Sequence, residues 1–226
     1  MLLTAKPSHP LIALIIIVCC LFHVTSCTIV PDEEKTAEGQ EKLDIYFVSD
    51  DFKPDDYAEK VWDDKVITLF EEKSHALEDV LPLWHKDQQA AGSKFGYREK
   101  AEGSPWNYRV RGTGIVVKVN TESRASTIDI DLLPGDNSAD LSIQIGPVIK
   151  DSAIRDSLDF ISFTDFTNQL EFARLSNAFN KLVNKKVVGD LDRENLMGKK
   201  ISFWGAYTQL QDSDLIRLTP VILKIE

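Results

Sequence analysis

Cysteine is scarce here, with three residues at positions 19, 20 and 27. Histidine numbers four and methionine two, and 26 basic residues face 36 acidic ones for a net charge of −10. Each shortage excludes something. Three cysteines cannot support a disulfide scaffold. The deficit of positive charge argues against a dedicated nucleic-acid binder, which tracks phosphate with a basic footprint. The apolar run Leu11 to Phe22 spans only about 18 Å as a helix, short of the roughly 30 Å hydrocarbon core of a bilayer. What is present is a chain of 226 residues, 43% hydrophobic and 27% charged. That is enough to bury a sizeable core, and the composition excludes collagen, coiled coil and wholesale disorder.

The apolar run follows Lys6, the only charged residue among positions 1–26, and is followed by small polar residues. A short apolar stretch in that setting is a signal peptide, removed on export. It ends in Val24-Thr25-Ser26-Cys27. This string resembles the lipobox of bacterial lipoproteins, with an aliphatic residue three places and a small residue one place before the cysteine. The resemblance implies a diacylglyceryl group on the Cys27 thiol, cleavage before Cys27 and often acylation of the new amine. The count of thiols agrees, because Cys19 and Cys20 leave with the signal and Cys27 alone remains. The alternative is a plain cleaved signal with an incidental cysteine. Two or three acyl chains, at about 0.8 kcal/mol per buried methylene, anchor a protein stably. Thr28 stands where an aspartate would favour inner-membrane retention, so it leans towards the outer membrane. Losing Lys6 with the signal takes the net charge from −10 to −11; acyl chains, not surface charge, must hold such a body on an acidic leaflet.

Residues 28–43 are charged and small without periodicity, a flexible tether. The apolar patch Ile45-Tyr46-Phe47-Val48 reads as a strand or a docking segment. Asp55-Asp56 opens a helical stretch with Val61, Trp62, Val66, Leu69 and Phe70 on one stripe, and a second stripe holds Leu77, Val80, Leu81 and Trp84, with Pro82 bending or ending it. Residues 88–105 read as a loop. From Trp106 the period becomes 2. Tyr108 and Val110 share one face, Ile115, Val117 and Val119 take the opposite parity, and the slip across Gly112-Thr113-Gly114 predicts a bulge that bends the strand. Ile128, Ile130 and Leu132 alternate with Asp129 and Asp131 in a second strand. A third runs from Leu141 to Ile145 with Ser142 and Gln144 on its wet face. Helical signals then cover 152–158 and a longer helix capped by Thr164 or Asp165, carrying Phe166, Leu170, Ala173, Phe179, Leu182 and Val183. Ile201–Tyr207 and Leu215–Ile225 close the chain as strands, with Pro220 marking an edge or a break.

Three strands, a helix and two strands is the chain order of the OB barrel, whose small closed sheet requires a strongly curved first strand. The expectation is an α+β, mainly β fold. A five-stranded OB-like barrel over 106–226 is preceded by a helical segment over 44–105, the two forming one folded unit. Another antiparallel α+β arrangement is the alternative.

The run 145–156 (IGPVIKDSAIRD) and the run 160–173 (FISFTDFTNQLEFA) resemble the most distinctive block of a family of predicted periplasmic lipoproteins, domain of unknown function family 2291. Residues 55–66 and 103–117 resemble its earlier blocks. Lys150-Asp151 departs from the family pattern of a basic residue followed by glycine. Family members are typically encoded beside sugar-uptake ABC transporters, and the fold implied is a variant OB barrel. The resemblance implies an accessory lipoprotein of carbohydrate transport and carries no activity or catalytic residue.

Motifs for chemistry are thin. His75 and His85 do not share a helix face at the spacing of metal ligands, and HExxH, CxxC and G-x-S-x-G are all missing. Asp136, Asn137 and Asp140, or Asp190, Asp192 and Glu194, offer oxygen ligands for calcium but lack the twelve-residue EF-hand layout; solvated turns explain them. Asp129 and Asp131, about 6.6 Å apart along a strand, have the spacing of an inverting glycosidase pair, a coincidence expected in so acidic a chain. A more specific block comprises Arg155, Asp156, Asp165, Asn168 and Gln169, groups that bond sugar hydroxyls. Trp106, Tyr108 or Trp204 could stack on a pyranose face. The structural alternative has Asp165 capping a helix and Arg155 fixing that region by pairing with Asp156, Asp159 or Asp165. The reading is a non-enzymatic accessory or binding lipoprotein without cofactor or metal. Its partners are the membrane, sugar-transporter components or a small carbohydrate, and a homo-oligomer. An OB-type module for nucleic acid or protein and a glycan hydrolase are the alternatives.

Overall fold

The computed structural model describes residues 52–99, 104–209 and 215–226. The signal, Cys27, the tether 28–43 and the patch Ile45–Val48 lie outside the described residues. Pro54 opens the first helix, α1 (Pro54–Val61), where its missing N–H costs nothing, and Asp55 and Asp56 face the positive end of the helix dipole. A π-helical turn, Trp62–Ile67, leads into α2 (Thr68–Lys73). The predicted stripe is the buried face: Val61, Trp62, Val66, Leu69 and Phe70. After the two-residue strand β1 (His75–Ala76), α3 (Leu77–Lys86) continues past Pro82, which does not end it and sits at an exposed position while Leu77, Val80, Leu81 and Trp84 are buried.

The expected loop over 88–105 is instead regular structure as far as Tyr97. Gln88–Phe95 forms α4, capped by the Asp87 carboxylate, which accepts from Ala90 N at 2.9 Å. β2 (Gly96–Tyr97) follows. The cause is tertiary: Trp106 lies on α4 so closely that a Cβ at Gly92 would fall 2.2 Å from its indole. Small residues that look loop-like in sequence are what the indole needs.

Five strands then make the barrel: β3 (Asn107–Asn120), β4 (Thr127–Leu132), β5 (Leu141–Gln144), β6 (Lys200–Thr208) and β7 (Ile216–Ile225). β3–β4 and β4–β5 pair antiparallel, β5–β7 parallel, and β7–β6 and β6–β3 antiparallel, which closes the circuit. β1 and β2 add short pairings along the first half of β3. Between β5 and β6 run α5 (Ala153–Ser157), a 3-10 turn (Phe163–Asp165), α6 (Gln169–Leu182), a π turn (Val183–Val187) and a second 3-10 turn (Arg193–Asn195). This is the predicted order, and the barrel is the OB one. Phe179 and Trp62, both buried, meet with ring centroids 6.3 Å apart and join the helical segment to the crossover helix. Phe166, predicted on the longer helix, precedes its first turn; it is half-buried and packs against Phe52 and Phe172.

Two details of the strands differ from the pattern reading. The parity of β3 does not slip at the glycines: Tyr108, Val110, Gly114 and Val116 are the buried set, and β3 pairs with β6 in unbroken register from Asn107 to Ile115. The bulge comes later, between Val116 and Lys118 opposite β4. Gly112 and Gly114 occupy inward positions where a Cβ would lie 2.7 Å from Phe203 and 2.4 Å from the Asp131 carbonyl oxygen. At Gly112 the Phe203 ring, and at Gly114 the β4 backbone, come too close for a side chain. Pro220 lies within β7, opposite Gly205, where the register with β6 shifts. Its missing N–H therefore falls at an irregularity of the ladder, since a closed barrel has no free edge to take it.

Candidate functional site

The block singled out by residue type is separated by the fold and put to structural use. Arg155 Nη2 lies 2.6 Å from Asp156 Oδ1, its Nη1 donates to the Phe172 carbonyl at 2.9 Å, and its guanidinium stacks 3.7 Å from the Phe172 ring centroid. It staples α5 to α6. Asp156 also accepts from the Ser152 hydroxyl. Asp165 does not cap the long helix. Its carboxylate accepts from Ser162 N at 2.9 Å, closing a capping box on the 3-10 turn. The cap of α6 is Asn168, whose side-chain oxygen accepts from Glu171 N at 3.0 Å, while Gln169 is an exposed first-turn residue. Trp106 donates from Nε1 to Gln89 at 3.3 Å and carries Arg98 4.0 Å above its ring. Tyr108 is fully buried, stacked on Tyr207 with centroids 4.6 Å apart, and donates to Gln209 at 3.0 Å. Trp204 is half-buried beneath Lys224. Asp156 lines two adjoining hollows and Asn168 and Gln169 share another, while Trp106, Tyr108 and Asp165 line none of these three.

The acid pairs are likewise employed, and the expected wet face of β4 and β5 is closed. Asp129 and Asp131 are buried. Asp129 accepts from Ser142 and, at 3.1 Å, from Asn120; Asp131 accepts from the backbone of Asp136 and Asn137 at 3.1 and 2.7 Å, tying the turn after β4. Asp140 accepts from Leu132 N at 2.8 Å. Among the described residues no group of three or more His, Cys, Asp or Glu could hold a metal ion. His75 lies on β1, against Phe95; burial and the Arg109 guanidinium hold its pKa below the ordinary histidine value, against Asp79.

One cleft is a feature that residue type did not mark. A cleft of about 270 Å³ opens beside the end of β6 and the start of β7, lined by Trp84, Asp151, Asp156, Tyr207, Gln209 and Arg217 among others. Trp84 Nε1 and Tyr207 Oη are buried and have no hydrogen-bond partner among the described residues. Burial, and secondarily Tyr108, raises the Tyr207 phenol far above its usual pKa. Asp151 has φ 75°, in the left-handed region that glycine favours. It is held there by its own contacts: its backbone carbonyl accepts from Asn180 at 3.0 Å, and its carboxylate accepts from Ala153 N at 3.1 Å and from Gln144 at 3.3 Å. Gln144 is itself buried and donates to Thr219 at 2.7 Å. Although Asp151 is exposed as a whole, loss of water around the carboxyl pushes its pKa up to about 6, against the bonds from Ala153 and Thr219 and the charge of Arg217.

A family model described as predicted periplasmic lipoprotein, DUF2291, matches residues 16–224. The chain belongs to this DUF2291 family. Membership makes it a lipoprotein of the cell envelope, facing the periplasm. The crystal structure of an OB-fold protein from Thermotoga maritima superposes with a TM-score of 0.64 at 20% identity, covering 77% of this chain and 99% of that one. At that identity the likeness shows the fold alone. No curated protein matches. Asp151, where the resemblance implied a glycine, is left-handed, and its side-chain and backbone bonds hold it there. Sequence reasoning assigned Trp84 to the core and read Gln144 as wet. The one signal available was the departure at Asp151; an orphaned indole N–H leaves no trace in a sequence.

Proposed function

We propose that this DUF2291 lipoprotein is a non-enzymatic accessory protein of carbohydrate uptake. Acyl chains on Cys27 hold it at the membrane, with Thr28 favouring the outer one. The folded body contacts a small carbohydrate or the periplasmic part of an ABC-type sugar transporter. One observation carries the non-enzymatic reading. The residues with catalytic or sugar-binding chemistry, Arg155, Asp156, Asp165, Asp129 and Asp131, are each committed to capping, stapling, cross-strand or turn-closing bonds. The association with sugar transport draws on the family resemblance. The nucleic-acid alternative fares worse, because β4 and β5 carry Asp129, Asp131, Ser142 and Gln144 where a stacking, basic platform would be needed. A protein partner or second copy draws on the exposed Phe163 and Leu170, 41% and 50% accessible.

The test is genetic. Deleting the gene should lower uptake of at least one labelled sugar. Wild-type protein should restore it and Cys27→Ala, made soluble or left uncleaved, should not. Uptake unchanged for every sugar would remove the transport role.

A further inference from the structure

Two buried polar atoms without partners, in residues lining one cleft, need an account. Native proteins leave few such groups unmade, because burial strips their water without returning a bond. Trp84 Nε1 can only donate, whereas Tyr207 Oη can donate and accept. The same cleft is also lined by Asp151, Asp156 and Arg217. A group that serves this set must accept from an indole N–H and also donate to a carboxylate. Hydroxyls do both. A cation would meet Arg217 and an anion would meet two acids, so a neutral ligand suits the charge. The indole and phenol rings add apolar walls for C–H faces. The volume of about 270 Å³ lies just under the usual range for ligand pockets, roughly 300–1,000 Å³, and so admits a small molecule only.

We infer that the cleft between α3, α5 and the β6–β7 end of the barrel binds a small neutral polyhydroxylated molecule through Trp84, Tyr207 and Asp151. The inference rests on the non-enzymatic binding role proposed above and gives it a place and a ligand class. Asp156, whose carboxylate already holds Arg155 and Ser152, borders the site. Arg217, exposed and near Asp151, limits the net charge of the site.

The experiment uses the lipidated chain, solubilised in a detergent without a sugar head group. Its thermal midpoint is followed against pentoses, hexoses and linear polyols, with an amino acid as zwitterionic control. Trp84→Phe, Tyr207→Phe and Asp151→Asn are measured in parallel. Tyr207→Phe removes only the orphaned hydroxyl and should leave the fold intact, whereas Trp84→Phe removes the orphaned N–H together with part of a buried ring, so its own thermal midpoint without ligand is the reference for its binding. At least one sugar or polyol should raise the midpoint saturably, and each variant should weaken its binding by about tenfold, the worth of one hydrogen bond. Binding untouched by all three variants would overturn the cleft and leave the binding-protein role standing. A response to the amino acid alone would overturn the ligand class. No binding at all, with sugar uptake still impaired by gene deletion, would also overturn the cleft and turn the accessory role towards a protein partner.

Discussion

Asp151 shows how much one position can carry. Its carboxyl pKa, about 6 in the folded chain against an ordinary 3.8, means that the folded state holds a proton the unfolded state has released. Between those values stability therefore falls as pH rises, and above about 6 the loss is complete. Asp151→Asn should flatten that slope and leave the protein more stable than wild type at pH 7.5, by no more than about 1–2 kcal/mol because the residue is partly open to water. Urea denaturation at pH 4.5 and 7.5 checks it; an equal slope in both proteins would contradict the assignment. Arg155 is a structural residue by the same kind of reasoning. Arg155→Ala should cost about 2 kcal/mol, leaving Asp156 unpaired and the Phe172 carbonyl without its donor. Arg155→Lys should restore little of that, since an ammonium can neither stack nor bond in a plane. Residue type alone could not separate these roles. Arginine, carboxylate and amide are the vocabulary of sugar sites and equally of caps and staples, and only the fold shows that Asn168 caps α6 and Asp165 closes a 3-10 turn.

Among the elements, the ones with a strong period were legible. The stripe through Val61, Trp62 and Phe70 and the alternation of Ile128 and Ile130 each named a buried face correctly, because burial on one side imposes that period. Asp129, Asp131 and Gln144 broke the rule that polar means wet, since each carries its own set of internal hydrogen bonds. The helix α4 was hidden because its Gly92, like Gly96 just after it, makes room for the Trp106 indole. Glycines in β3 misled for a related reason: they fill inward positions with nothing, so the count of apolar residues loses its phase there. Gly114→Ala follows directly. The new methyl would stand 2.4 Å from the Asp131 carbonyl oxygen, which is backbone and cannot swing away. A loss of about 2–3 kcal/mol is expected, read as a lower thermal midpoint; an unchanged midpoint would mean that β3 and β4 lie further apart than the structure places them.

At the scale of the whole molecule, the barrel was readable because five strands and one helical crossover in that order have few closed solutions. The interlock of the amino-terminal helices with the crossover helix was not, since it depends on contacts more than a hundred residues apart. Trp62 and Phe179 make that interlock, both essentially inaccessible. Truncating either to alanine should cost about 3–5 kcal/mol and should unfold barrel and helices together in a single transition. Two separate transitions would mean that the helices are an appendage. The function rests on where this body is held. The most direct measurement is the mass of the amino-terminal peptide of the native protein recovered from membranes. The account predicts a peptide beginning at Cys27 and heavier by a diacylglyceryl group, with or without a further acyl chain. An unmodified cysteine, or a mature chain starting elsewhere, would contradict it.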